Sequence, residues 1–77
     1  MLQYYNEETK TLTIPQYFNE ELVNIPLDTE IILFNENSMF NKNVDKLPKN
    51  LKHLTFGVYF NQSVDNLPNN LKHLTFD

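Results

Sequence analysis

Two histidines, His53 and His73, stand twenty residues apart, each inside the string Leu-Lys-His-Leu-Thr-Phe. Imidazole is both a metal ligand and a proton carrier, and two rings side by side could share a divalent cation. A stable site wants a third or fourth ligand, and the positions one interval upstream hold Ile31 and Thr11, which complete none. Neither a metal nor any other cofactor is therefore expected. Nucleophilic chemistry has less to stand on, since Ser38 and Ser63 are the only serines and cysteine is absent. The single glycine, Gly57, cannot build a phosphate-cradling loop. No acid, base and nucleophile converge, and the sequence reads as non-enzymatic. Asn61-Gln62-Ser63 fits a glycosylation sequon. Its asparagine is instead assigned to a structural ladder.

What places the histidines at that interval is a tandem repeat. Residues 40–56 recur at 60–76, with differences only at 42/62, 43/63, 46/66 and 49/69, all polar, while every apolar residue and both prolines recur. Self-similarity of this length marks stacked repeat architecture. An altered copy begins at Phe18-Asn19, with Ile25-Pro26 in place of Leu-Pro, and is two residues longer. The sequence divides into an N-terminal cap with the first strand at 1–17, a divergent repeat at 18–39 and repeats at 40–59 and 60–77.

Within each copy, Leu-x-x-Leu-x-Phe alternates in the period-two manner of a half-buried strand. Each Leu-Pro or Ile-Pro pair opposes helix and pushes the preceding residue toward extended backbone. The predicted fold class is all-β: a solenoid of short parallel strands at 10–14, 30–34, 52–56 and 72–76, with almost no helix. Its inward columns are Leu12/Ile32/Leu54/Leu74, Ile14/Phe34/Phe56/Phe76, Thr9/Thr29/Leu51/Leu71, Phe18/Phe40/Phe60, Leu22/Val44/Val64 and Ile25/Leu47/Leu67. Residues 2–14 predict a β-hairpin cap, whose first arm carries Tyr4 or Tyr5 over Leu12 and Ile14. Asn19, Asn41 and Asn61 follow the aromatic column and predict a buried ladder that satisfies turn backbone.

Charge is uneven along the chain. Seven acids against Lys10 give −6 through Ser38, whereas five lysines against Asp45, Asp65 and Asp77 give +2 beyond it. Lys52 and Lys72 thus face an acidic N-terminal part rather than a continuous basic track, which argues against nucleic acid. The longest aliphatic-aromatic run, Ile31-Ile32-Leu33-Phe34, is too short to span a bilayer, and no signal peptide is present at the start. An intracellular, cytoplasmic protein with neither membrane nor nucleic-acid partner is expected, and the lack of cysteine suits a reducing compartment.

The pattern Phe-Asn-x-x-Val-x-x-Leu-Pro-x-x-Leu-x-x-Leu-x-Phe, at 40–56 and 60–76 and altered at 18–34, resembles the FNIP repeat, a leucine-rich-repeat-like module of amoebae and their giant viruses. The resemblance implies a curved solenoid for protein recognition, often in proteins that carry an F-box for docking to a ubiquitin ligase. It would place a viral member in the host cytoplasm. The hairpin at 2–14 is expected to leave no room for an F-box, which narrows the implied role to protein binding.

Two surfaces are candidates for that binding. The outward face of the sheet would present Ile31, Leu33, Lys52, His53, Thr55, Lys72, His73 and Thr75. Ile31 and Leu33 are its apolar members, read either as contact points or as packing sites for Tyr4 or Tyr5. The open edge at Leu71, Leu74, Thr75, Phe76 and Asp77 would pair with a second copy about a twofold axis, forming a homodimer. With Thr75 near the axis, His73 would lie opposite Asp77 of the second copy.

Overall fold

A computed structural model describes residues 2–77; Met1, the first residue of the expected cap, lies outside the described residues. Among the described residues strand is the dominant regular structure, and the only helical element is a 3₁₀ turn at Leu2–Tyr4. The strands are β1 (Tyr5–Asn6), β2 (Thr11–Ile14), β3 (Ile31–Phe34), β4 (His53–Phe56) and β5 (His73–Phe76). They form one sheet in chain order, with β1 antiparallel to β2 and each later neighbour parallel.

The repeat interval sets the register. Leu12 pairs with Ile32, Ile32 with Leu54, and Leu54 with Leu74, so identical positions of successive copies stand side by side. Each strand begins one residue later than predicted. The carbonyls of Lys10, Glu30 and Lys52 each accept two successive N–H groups from the next unit, which ends the regular ladder there while leaving its donors paired. Prolines close the turns that precede the strands, the carbonyls of Pro26, Pro48 and Pro68 accepting from Thr29, Leu51 and Leu71 at 3.1 to 3.2 Å.

Leu12, Ile14, Ile32, Phe34, Leu54 and Phe56 from the strands join Phe40, Val44 and Leu51 from the connecting segments in the buried core. Burial follows position in the stack. Leu12, Ile32 and Leu54 are at most 1% exposed, whereas Leu74 is 38% and Phe76 52% exposed, because β5 has a neighbour on one side only. Phenylalanines form two parallel columns that meet: Phe40 stacks on Phe60 at 6.1 Å, Phe34 on Phe56 at 5.6 Å, and Phe56 on Phe60 at 3.6 Å. Such offset stacking adds about 0.5–1.5 kcal/mol per pair beyond the area buried.

Three expectations are corrected. The first arm of the hairpin is not a strand from residue 2, because an extended chain would aim Tyr4 and Tyr5 to opposite faces. Curling at Leu2–Tyr4 instead lets both rings pack on the core, Tyr4 edge-on to Phe18 at 6.4 Å. Thr9 is exposed rather than inward, since residues 7–10 form the turn and Lys10 has a φ of 59°; Thr29 and Leu51 of that column are buried. The asparagine ladder forms at the surface, with Asn19 and Asn61 exposed and Asn41 half-buried.

Gly57 explains how a unit of 22 residues stacks against one of 20. The longer turn at 35–39 folds over it so closely that a β-carbon on residue 57 would stand 2.4 Å from the Asn35 carbonyl oxygen and 2.9 Å from Ser38 Cβ. Only a residue without that carbon fits there.

Candidate protein-binding face

The outer face of β2–β5 carries the odd-numbered positions of the strands. His53 lies between Ile31 and His73 in one row, and Thr55 between Leu33 and Thr75 in the next. The two imidazoles stack with centroids 4.5 Å apart and 5° between planes. Among the described residues no group of three or more histidine, cysteine or carboxylate side chains could hold a metal. Leu33 is exposed and Ile31 half-buried. Tyr5 cannot cover them: it pairs with Leu12, which places its ring on the core side of the sheet. Tyr4 packs on Phe18, likewise away from this face.

Lysines border the face unequally. Lys52 Nζ reaches Glu30 Oε1 at 3.3 Å, whereas Lys72 is exposed and makes no ion pair among the described residues. Alternation along the unit explains this, because Glu30 and Lys52 occupy the same position of successive copies while Lys72 follows another lysine.

At the first turn of the stack, Asp28 ties the cap to the repeats. Its Oδ1 accepts from the Tyr5 hydroxyl at 2.6 Å and its Oδ2 from Lys10 Nζ at 2.6 Å. The hydrogen bond from Lys10, followed by that from Tyr5, holds the Asp28 carboxyl below its ordinary 3.8. The same contact pushes Lys10 above 10.5. Tyr5 rises above 10.0, first from loss of solvent and then from its hydrogen bond to Asp28. This tie was not among the residues singled out from sequence. Its signal was an acid where the later copies carry Asn50 and Asn70.

The asparagines connect unit to unit. Asn41 N–H donates to Asn19 Oδ1 at 2.9 Å, and Asn61 N–H donates to Asn41 Oδ1 at 2.8 Å. Gln62 Nε2 adds bonds to Asn41 Oδ1 and to the Asn41 carbonyl. At the other edge, His73 and Asp77 donate their N–H groups back toward β4. By alternation Thr75 does the same, so the outward N–H groups of β5 belong to Leu74 and Phe76. Leu71 is half-buried beside them.

A sheet whose strands, columns and turns recur from unit to unit, with one face uncovered, defines a repeat module, a class characterised by the surface it presents. Residues 40–77 match the FNIP Repeat family, and this part of the chain belongs to it. The altered copy at 18–39 lies outside the match. No curated protein and no solved structure matches the chain. Among the described residues, no helix is long and apolar enough to cross a membrane.

Proposed function

We propose that the chain is a non-enzymatic protein-interaction module, a leucine-rich-repeat-like solenoid that offers the outer face of β2–β5 to an intracellular protein partner. The observation that carries this reading is the uncovered face itself. Parallel sheets are ordinarily covered on both sides. Here one side packs the core while the other exposes Leu33 among threonines and histidines. Repeat modules use such extended faces for binding. Membership of residues 40–77 in a repeat family is compatible with this role.

A photo-reactive amino acid placed at Thr55 tests it in cells. Adducts to a defined partner are expected from Thr55 and are expected to disappear with Leu33→Asp. Equal adducts from a probe at Glu7, or adducts indifferent to Leu33→Asp, would count against the face.

Self-association is the second reading, favoured by the exposure of Leu74 and Phe76 on a strand paired on one side. A copy related by a twofold axis would pair β5 with β5 in antiparallel fashion. Leu74→Pro removes an outward N–H without touching the bonds to β4, and should convert such a dimer to a monomer by light scattering. A monomeric wild-type mass at high micromolar concentration would end this reading.

A further inference from the structure

The later units are stitched on the side away from the strands by side-chain hydrogen bonds. Asn66 Nδ2 donates to Asp45 Oδ1 at 3.3 Å, and Asn70 Nδ2 to the Lys49 carbonyl at 3.1 Å. One unit earlier the equivalents of Asp45 and Lys49 are Val23 and Leu27. Valine has no acceptor for the first stitch. The backbone also departs here, Asn24 taking a φ of 56°. Between units 18–39 and 40–59, at these positions, lies a groove of about 660 Å³, lined by no strand residue.

Its chemistry is specific. Leu22, Ile25 and Leu47 form a half-buried apolar floor, and Val23 and Leu27 stand at its wall, 57% and 84% exposed. At both of these positions the other two copies are polar: Asp45 and Asp65, then Lys49 and Asn69. Exposed apolar residues that replace polar ones in a single copy are not required by the stack, which holds without them elsewhere. The only charged residues lining the groove are Lys46 and Lys49, and neither belongs to either ion pair found among the described residues. Asn50, freed from the stitching role that Asn70 plays, stands at the same lip.

We infer that this groove binds a short extended segment of a partner protein in which apolar side chains alternate with carboxylates. The apolar residues would enter between Leu27 and Leu47, the carboxylates would meet Lys46 and Lys49, and the Asn50 amide would donate to the segment's backbone. Charge complementarity selects the occupant: an uncharged apolar segment would leave both lysines unanswered, and a basic one would be repelled. The site is separate from the outer face of the sheet and does not depend on that face binding anything.

Selection from a displayed library of random dodecapeptides on the intact chain tests the inference. The counter-selecting variant is Val23→Asp with Leu27→Asn, which installs side chains that other copies already carry and so keeps the repeat chemistry. Selected peptides are expected to be rich in alternating acidic and apolar residues. Once synthesised, they should bind the double variant about tenfold more weakly, with its melting temperature unchanged. Lys46→Glu with Lys49→Glu should weaken them similarly, and added salt should lower wild-type affinity. Failure to enrich any peptide, enrichment of basic peptides, or equal binding to the Val23→Asp/Leu27→Asn variant would overturn the proposal. So would concentration-dependent self-association abolished by the same substitutions, which would assign the groove to a second copy.

Discussion

At the scale of single residues, position in the stack decides what a side chain is worth. Asn41 accepts bonds from the Asn61 N–H and from Gln62, but it is half-buried and water can replace part of what it supplies. Asn41→Ala should therefore cost about 0.5–1.5 kcal/mol in denaturant unfolding. Lys42→Ala next to it, at an exposed position, should stay within about 0.5 kcal/mol. Gly57→Ala is a different case, since the intruding carbon meets a backbone carbonyl oxygen at 2.4 Å. Shifting the 35–39 turn should cost about 1–3 kcal/mol, read as a lowered denaturation midpoint. Asp28 adds a pH signature. Its folded pKa is depressed, so the stability it contributes is complete above the unfolded value near 3.8 and is lost as pH falls through the lower folded value. Lys10 and Tyr5 have raised folded values, so theirs is present below about pH 10 and lost as pH rises beyond it. In thermal melts, Asp28→Asn should lie below the wild type at pH 7, and the gap should close toward pH 2.5.

At the scale of elements, the strands were legible and the cap only partly so. Apolar residues that recur at a fixed interval settle which strands pair and in what register, because a slip by one residue would turn every core side chain outward. No comparable repetition governs residues 2–10, where the choice between a strand and a 3₁₀ turn depends on Phe18 being near enough to receive Tyr4. The ladder asparagines were legible as a column, yet their exposure was not, since the sequence does not say on which side of the turn the amide lies. On the sheet face, the pairing of Lys52 with Glu30 required knowing that the units stack in register. The groove had a sequence signal, Val23 against Asp45 and Asp65, but its meaning depended on stitches visible only in three dimensions. Amide hydrogen exchange should rank the elements by these neighbours: β3 and β4, flanked on both sides by four-residue strands, exchange more slowly than β5, which is paired on one side. Uniform protection across β3, β4 and β5 would contradict that ordering.

At the scale of the whole molecule, stability is a sum over adjacent units. Every substantial contact between strands joins neighbours in the chain, from β1 with β2 through to β4 with β5. A further copy of residues 40–59 inserted after residue 59 should extend the stack without disturbing the rest, since its ends meet the partners that the present copies already have. The expected result is a higher melting temperature, with the added strand as well protected as β4. Strand order that follows chain order also fixes how the molecule answers force. Among the described residues each strand pairs only with its neighbours in the chain, so under tension applied at the two termini the units would come away from an end in succession. Each unit of 20 residues would lengthen the tether by roughly 65 Å, giving a staircase of small, even steps rather than one abrupt rupture.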